Sequence, residues 1–278
     1  MKRYAVRVFY EGKGYFGYQR QLDKKTTEGT IIQTLKETGY IDSPEENYFR
    51  SASRTDKCVN AIGNVFSFNS EKKIILEEIN AALPKDKSII CWGYSDVDTD
   101  FSPKYSNWKR YWYIVSKEFL EAHSTMTVDK ISTVSSHFVG EHDFSLFCKK
   151  DDRKTTRKID DLNVLEQENS IILEFISSSF LWEQVRRITS YILNFNELVE
   201  ELQDTKTLLA EQRSVQALNI EPADPNQLVL VEHFYEDIEW NISKKTKELI
   251  VKKFVDEKLK IKQREVFFVS ALDFFDNL

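Results

Sequence analysis

Apolar and polar residues alternate along several short stretches of the chain, a pattern that is typical of β-strands. In the first stretch, residues 2–10, both alternate sets contain apolar side chains, so we expect a strand that is covered on both faces. The same criterion predicts strands at residues 65–68, 88–97, 108–115, 159–165, 171–176 and 228–235. A turn at residues 166–169 predicts that two of these strands form a hairpin.

Apolar residues at steps of three and four predict helices between these strands. Thr27 is expected to cap a helix that stops at Gly39, and Thr127 a helix that ends at Gly140. Further helices are predicted at residues 75–83, 179–195, 198–209 and 244–262, with a last strand or helix at 266–272. Strands and hairpins mixed with helices in this way predict an α+β fold, in which helices pack against a mixed, mostly antiparallel sheet.

Composition narrows the class of protein. The chain has 278 residues, 41% of them hydrophobic, which is enough to bury the core of one large or two modest domains. Its formal net charge of −6 argues against coating of nucleic acid by bulk charge but leaves room for a local basic face. The sequence contains neither a signal-peptide pattern nor an apolar run long enough to span a membrane, so we expect a cytoplasmic protein with no membrane partner. The three cysteines are far apart, which predicts reduced thiols.

Two local features interrupt the regular pattern. Three glycines, Gly12, Gly14 and Gly17, predict a tightly bent loop that can line a substrate groove. Residues 149–158 carry six cations against two anions, a local charge of +4, which fits either a phosphate-contacting surface or an ordinary solvated loop.

Histidines near the middle of the chain raise the question of a metal site. His137, Glu141 and His142 do not have the spacing of a zinc-binding helix, so we expect these side chains to cap and pack. No metal ligand set is therefore predicted.

The stretch at residues 53–61 contains the strongest candidate chemistry. Asp56 lies between Arg54 and Lys57, and neighbouring positive charges favour the ionised form of a carboxylate. Ionised Asp or Glu side chains act as nucleophiles on sugar and related electrophilic carbons. The alternative is structural, because Asp in a loop before a short helix is commonly an N-cap.

Two later segments add candidates. The strand at residues 108–115 interleaves aromatic and cationic side chains, which fits either an aromatic core strand with solvent-facing Lys and Arg or a platform on which unpaired bases stack. Tyr111 and Tyr113 share one face of this strand, and Trp112 points the other way. Arg186 lies beside the apolar face of the helix predicted at 179–195, where a cation needs a carboxylate or phosphate, so we expect a buried Arg–Asp pair.

In their order along the chain, five blocks resemble the TruA-type tRNA pseudouridine synthases, over roughly residues 4 to 235. The matching blocks are residues 10–21, Arg54-Thr55-Asp56, residues 109–113, residues 140–147 and residues 180–188. The chain departs from the family pattern at Ser53, Cys58 and Ser190, which replace glycines, at Lys104, where arginine is frequent, and at Tyr18, where tryptophan is common.

The resemblance implies a fold and a target. It implies the pseudouridine synthase fold, with two similar α/β halves near residues 1–104 and 105–240, whose mixed sheets join side by side, with helices on one face and a basic central cleft. Residues 241–278 form a C-terminal extension. It also implies a homodimer that isomerises uridines in the anticodon stem-loop of tRNA, at tRNA positions 38–40.

The resemblance also assigns roles. Asp56 is the catalytic carboxylate acting on a flipped-out uridine, at C1′ of the ribose, at C6 of the ring, or on a glycal-type intermediate. Arg54 fills the vacated space in the RNA, Tyr111 stacks on the base, and Arg186 pairs with Asp56. The basic residues at 149–158 and Arg20 hold phosphates. Because the reaction involves no redox step and no energy input, no cofactor is expected.

Three other functions are compatible with parts of the sequence. One is a non-catalytic RNA-binding relative with the same sheet and cleft, and another is a pseudouridine synthase with a different RNA target. The third is a carboxylate hydrolase of small glycosides or nucleosides, which needs a second positioned acid. No second carboxylate stands out in the sequence, and the basic loops favour a polyanionic substrate.

Overall fold

The computed structural model of the chain describes residues 1–198, 205, 207–209 and 220–276. The strands are β1 (Lys2–Tyr10), β2 (Arg50–Ser51), β3 (Asn60–Ser70), β4 (Ile89–Val97), β5 (Trp108–Ser116), β6 (Gly140–Asp143), β7 (Thr156–Ile159), β8 (Asp161–Glu166), β9 (Ser170–Ser177) and β10 (Leu228–Phe234). The helices are α1 (Thr27–Glu37), α2 (Leu76–Ala82), α3 (Lys117–His123), α4 (Val128–Ser136), α5 (Gln184–Leu193), α6 (Phe195–Leu198) and α7 (Lys244–Asp276).

One continuous sheet runs through the molecule in the order β4-β1-β3-β10-β5-β9-β8, with β2 paired to β3. Its neighbouring strands are antiparallel except β10 and β3, which pair in parallel at Val229 with Asn60 and at Leu230 with Ala61. Strands β6 and β7 form a separate antiparallel pair. The predicted α+β class with a mixed, mostly antiparallel sheet is confirmed.

The core explains why the first strand is apolar on both faces. Tyr4, Val6, Val8 and Tyr10 belong to the main buried cluster, which also takes in residues of α1, α2, α4 and α5. On the opposite face, Ala5 packs in a second buried cluster, and the ring of Phe9 lies 5.2 Å from that of Phe254 in α7. The prediction of a strand covered on both faces is confirmed.

Two helix starts differ from the sequence prediction. Thr26, one residue before the predicted cap, is the N-cap of α1, and its hydroxyl accepts a hydrogen bond from Gly29 N at 3.2 Å. Helix α5 begins at Gln184 instead of residue 179. Glu183 has a left-handed backbone with φ of 61°, so the helix cannot extend through it toward residue 179. Thr127 caps α4 as predicted, accepting from Lys130 N at 3.3 Å.

Two further predictions lie near the end of the chain. The helix predicted at 198–209 lies largely outside the described residues. The segments predicted at 244–262 and 266–272 form one helix, α7, since no Gly or Pro interrupts the sequence between them. Its first half is fixed to the body by Lys253, whose Nζ lies 3.0 Å from Glu11 Oε1. From Lys258 to Ser270 the side chains are exposed.

Two expectations from composition can be compared with the structure. Cys58, Cys91 and Cys148 are free thiols. Within the part of the chain that the structure covers, none of the helices has the length and apolar character needed to cross a bilayer.

Candidate active site

A cleft lies over the middle of the sheet and is predominantly basic. Its lining includes six cationic and two acidic side chains: Arg54, Lys57, Lys104, Lys109, Arg153 and Arg157 against Asp56 and Asp151. A smaller pocket adjoins it beside Asp56, lined by side chains of both halves of the chain, among them Tyr111 and Arg186. The predicted basic central cleft is confirmed, and Asp56 lies where the cleft and the pocket meet.

The backbone around Asp56 forms a turn. Val59 N donates to Asp56 O at 3.2 Å, and strand β3 begins at Asn60, so no helix follows for Asp56 to cap. The helix-capping alternative is therefore wrong. The carboxylate is free of a capping role because the chain goes directly from the turn into a strand.

Buried side chains fix the loop that precedes Asp56. Asn64, on β3 and fully buried, accepts from Ser53 N at 3.2 Å and donates to Ser53 O at 3.0 Å. Tyr10 and Thr55 share a hydrogen bond of 2.7 Å between their hydroxyls. Each of these contacts uses a strand residue to hold the loop, so the position of Asp56 is set by the sheet.

The glycine loop supports the same segment from the other side. Tyr18 N donates to Thr55 O at 3.0 Å. A Cβ atom on Gly12 would lie 2.4 Å from Val59 O, so only glycine allows the two backbones to approach this closely. The glycines therefore let the loop pack against the backbone around Asp56, while Gly17, Tyr18 and Gln19 line the cleft.

Two of the unusual residues of this loop have a structural place. Cys58 has φ of +69°, the left-handed region that favours glycine and where an L side chain costs roughly 1–2 kcal/mol. Ser53 is buried and its side chain is hydrogen-bonded to Tyr111. The backbone at Cys58 therefore has a conformation typical of glycine, although the residue carries a thiol side chain.

Both oxygens of the Asp56 carboxylate have a donor from the other half of the chain. Arg186 Nη1 lies 3.2 Å from Asp56 Oδ2, and Trp182 Nε1 donates to Asp56 Oδ1 at 3.1 Å. Arg186 is in turn fixed by its Nε, which donates to Ala223 O at 2.7 Å. Because the Arg186 side chain is 11% exposed and that of Asp56 32%, the pair is partly shielded from solvent yet open to the cleft.

Trp182 is the contact that sequence reasoning missed. The helix predicted at 179–195 placed it among helical residues, whereas the left-handed Glu183 ends a loop that turns the indole toward Asp56. Lys149 Nζ lies 4.1 Å from the centre of the indole ring, and Lys149 N donates to Trp182 O at 2.9 Å. The signal available in the sequence was an aromatic residue off the apolar face of the predicted helix.

Tyr111 forms a wall of the pocket. Its ring meets that of Phe180 edge to face at 5.4 Å, and burial raises the pKa of its phenol to about 12. The side chain is therefore protonated at neutral pH. Tyr113 lies on the same face, and the Trp112 indole donates to Glu174 on the opposite face at 2.8 Å. The strand contributes Tyr111 and Tyr113 to the core, and Tyr111 also borders the pocket.

Of the remaining predicted residues, some line the cleft and one does not. Arg54 is exposed and borders both the cleft and the pocket. Arg153 and Arg157 also line the cleft, and part of the basic segment is ordered as β7 against β6. Arg20 is different, because its guanidinium lies 3.4 Å from Glu28 and 3.6 Å from Glu45 and it is not among the residues that line the cleft.

Part of the segment that raised the question of a metal site lies in strand β6. His142 lies in β6, and its Nε2 is 3.1 Å from Val139 O. Among the residues that the structure describes, no three His, Cys, Asp or Glu side chains are grouped so that they could hold a metal ion.

Comparison with known proteins shows that most of the chain is similar in sequence to proteins that share one name. A family model described as "tRNA pseudouridine synthase" matches residues 134–236, a range that includes Arg186 but not Asp56. The chain is 34% identical over 235 residues to tRNA pseudouridine synthase A of Methanothermobacter thermautotrophicus, covering 84% of this chain and 82% of that protein. It is 31% identical over 251 residues to the protein of the same name from Methanosphaera stadtmanae, covering 90% of each.

Two more matches complete the comparison. The chain is 34% identical over 267 residues to tRNA pseudouridine synthase A of Pyrococcus furiosus, covering 91% of this chain and 92% of that protein. Among solved structures, a chain of the Cbf5-Nop10-Gar1 complex aligns with a TM-score of 0.35 and 14% identity, over 67% of this chain and 43% of that one.

Proposed function

This chain belongs to the tRNA pseudouridine synthase family, and from that premise we propose that Asp56 attacks a flipped-out uridine of the tRNA anticodon stem-loop, at tRNA positions 38–40. The protein is an isomerase that converts uridine to pseudouridine in tRNA. The reaction breaks the bond between C1′ and N1, joins C1′ to C5, and moves one proton from C5 to N1. Atoms and electrons balance without a further reactant.

The observation that carries the assignment of Asp56 is the pair of donors on its carboxylate. With Arg186 on one oxygen and Trp182 on the other, the carboxylate is held in a fixed direction. Fixed charges of this kind need no rearrangement when the reacting carbon arrives. The pocket beside Asp56 opens into the basic cleft, which is the route that a polyanionic substrate requires.

Two neighbours complete the proposed site. A uridine must leave the base stack before a carboxylate can reach it, which costs a few kcal/mol and requires replacement contacts. Arg54, exposed at the edge of cleft and pocket, fills the space that the base leaves in the RNA. Tyr111 stacks on the flipped base, with a neutral phenol at physiological pH.

The test of Asp56 is the variant Asp56→Asn, which keeps the shape of the side chain and removes its charge. Release of tritium from tRNA labelled at C5 of uridine should fall more than about a thousandfold, while tRNA binding is retained. Asp151→Asn is the matched control, since it removes a carboxylate from the same cleft. Appreciable turnover by Asp56→Asn would refute the assignment, and tRNA binding by a wild-type protein that releases no tritium would favour a non-catalytic RNA-binding protein.

The choice of uridine has its own test. Pseudouridines are mapped in tRNA from cells with and without this gene, and in tRNA treated with the purified protein. We expect loss and restoration at tRNA positions 38–40 only. Modification elsewhere would leave the chemistry in place and refute the anticodon stem-loop as the target.

We extend the proposal to the assembly and its place in the cell. Residues 1–104 and 105–240 act as two halves, residues 241–278 as an extension, and the protein as a cytoplasmic homodimer. The exposed apolar end of α7 supports self-association, because Val266, Phe267, Val269 and Leu272 are each more than half exposed.

Analytical ultracentrifugation tests this arrangement. The wild-type protein should sediment as a dimer, and replacing Phe267 and Val269 with Ser should give a monomer. The matched control is Lys244→Ser at the opposite end of the same helix. A wild-type monomer at micromolar concentration would refute the homodimer, and a dimer that persists in the doubly substituted protein would refute α7 as its interface.

A further inference from the structure

We propose that Lys109 binds the phosphate next to the target uridine, so that β5 holds one nucleotide by two groups: Tyr111 contacts its base and Lys109 its backbone. The inference rests on the proposed placement of the uridine between Asp56 and Tyr111. The proposal assigns one phosphate to Lys109 on β5. From the sequence pattern alone, this lysine could equally have faced solvent without a partner.

The geometry of β5 brings the two side chains into one site. Lys109 and Tyr111 are two residues apart on the strand and therefore point to the same face, as their regular pairing with Ser177 and Phe175 of β9 requires. Both line the cleft. Two residues of strand span about 7 Å, a separation that one nucleotide can bridge between its base and its phosphate.

Among the residues that the structure describes, no carboxylate is paired with the ammonium group of Lys109. Lys109 is half-buried, and none of the ion pairs or hydrogen bonds within the described ranges involves its ammonium group. Arg110, the next residue and on the opposite face, lies 3.6 Å from Glu174. A cation in a low-dielectric position without a counter-ion is unfavourable, and an incoming anion removes that cost.

The nearby side chains of Lys104 and His233 are cationic and neutral, respectively, so they favour the binding of an anion at Lys109. Burial and the nearby Lys104 lower the pKa of Lys109 to about 8. His233 pairs with Lys109 across β10 and is fully buried, and its pKa is lowered by burial and by the charges of Lys109 and Arg7. Its Nδ1 lies 3.1 Å from Ser106 Oγ, and in the described structure its Nε2 has no hydrogen-bond partner.

The two carboxylates among the described lining residues of the cleft are already engaged. Asp151 accepts from Arg153 Nε at 2.7 Å, and Asp56 is held by Arg186 and Trp182. Neither is paired with Lys109. The counter-ion that completes this end of the cleft must therefore come from the substrate, and for an RNA substrate that group is a phosphodiester.

The first test compares Lys109→Met, which keeps length without charge, with Lys109→Arg and the control Lys36→Met. Lys36 is exposed on α1 and does not line the cleft. The dissociation constant for tRNA is measured over a range of salt concentrations. We expect Lys109→Met to weaken binding about tenfold and to reduce the slope of log K against log salt by about 0.7–0.9. The Lys109→Arg and Lys36→Met variants should bind nearly as the wild type does.

A second measurement separates a binding role from a structural one. Removing an unpaired, half-buried charge should leave the melting temperature of the free protein unchanged or raise it. A lysine that merely supports the fold would give a lower melting temperature on substitution, together with weaker RNA binding. That combination, or a salt slope identical to that of the wild type, would overturn the proposal.

RNA with single neutral linkages identifies the phosphate. Stem-loops carrying one methylphosphonate at a time around the modified uridine are bound to the wild type and to Lys109→Met. One linkage beside that uridine should weaken binding of the wild type and have no effect on the variant. If every linkage affects both proteins equally, the assignment fails while the proposed function stands. Activity of Asp56→Asn, by contrast, would remove the proposed function itself.

The pH dependence of binding gives an independent check. With the pKa of free Lys109 at about 8, its ammonium is charged below pH 8, so affinity should be constant there. Above pH 8 binding requires uptake of a proton, and affinity should fall up to about tenfold per pH unit. The titratable and charged groups around it are His233, which is neutral in this pH range because burial lowers its pKa, and Lys104, Asp151, Arg153 and Arg157. Because these remain in Lys109→Met, a wild-type decline that persists in the variant would overturn the assignment.

Discussion

The two walls of the cleft are built in opposite ways. One wall is the acid loop, residues 53–59, and the other is the basic run, residues 149–158. The acid loop is tied to strands through Asn64 and Tyr10, and to the glycine loop through the backbone of Tyr18. Its central carboxylate has a donor on each oxygen.

The backbone of the basic run is paired in part with β6, but its arginine side chains are bonded mainly within the run itself. Arg153 is paired with Asp151, and Arg157 Nη1 donates to the carbonyls of Lys154 and Thr156 at 2.9 and 2.7 Å. Lys149 contacts Trp182, which links the start of the run to the site. Most of its side chains are exposed.

The difference follows from what each wall must do in the proposed reaction. A nucleophile has to stand in one direction relative to the reacting carbon, and errors of about 1 Å are costly. Phosphates repeat along an RNA strand and are contacted by long, solvated side chains that adapt to its shape. A fixed acid loop facing an adaptable basic run meets both demands.

Among the substitutions that test this contrast, Asn64→Leu should produce the largest loss, because it leaves the Ser53 backbone groups buried without partners. We expect the free energy of unfolding to fall by about 3 kcal/mol and kcat to fall more than about tenfold, since the acid loop loses its fixed position. Urea unfolding and tritium release measure the two effects. The control is Asn163→Ala on β8, an exposed position far along the sheet. A variant as stable as the wild type would mean that the loop does not depend on Asn64.

Trp182→Phe should have an intermediate effect, because it removes one donor and keeps an aromatic ring. We expect kcat to fall about tenfold, the usual worth of a hydrogen bond to a charged group, with KM within about twofold because no phosphate contact is lost. Trp182→His, which retains a ring N–H, should recover part of the rate. Trp112→Phe is the control, since it loses an indole hydrogen bond on the opposite face. An unchanged kcat in Trp182→Phe would show that Arg186 alone orients the carboxylate.

Replacing Arg153 and Arg157 one at a time with Gln should give the smallest effects. Each substitution removes one cation that lines the cleft, exposed at Arg153 and half-buried at Arg157, so binding should weaken a few-fold at low salt and less at high salt. We expect no change in kcat. Filter binding at several salt concentrations measures the effect, with Arg264→Gln on α7 as control. A large loss of kcat at saturating tRNA would place these residues in the chemistry and remove the contrast between the walls.

How far the sequence predicted these walls depends on the kind of contact. The need of Arg186 for a carboxylate followed from charge and an apolar helix face, and the strands followed from alternation. Asn64 and Trp182 could not be predicted, because their partners are distant in sequence: Asn64 joins a strand to a loop, and Trp182 reaches Asp56 only after the left-handed turn at Glu183. The sequence predicts two segments where the structure has the single helix α7. Residues 266–272 are almost all apolar, so the apolar positions there show no helical periodicity.

Strand β10 has a consequence for the order in which the protein is made. Strands β1, β3 and β4 can pair once residue 97 has been synthesised, yet β10 joins β3 at Asn60 only after residue 229 has left the ribosome. Until then that end of β3 is an open edge, which favours association with other chains. The acid loop likewise lacks Arg186 until late in translation. An interrupted chain therefore carries Asp56 without Arg186, so incomplete translation products should neither modify RNA nor stay dispersed.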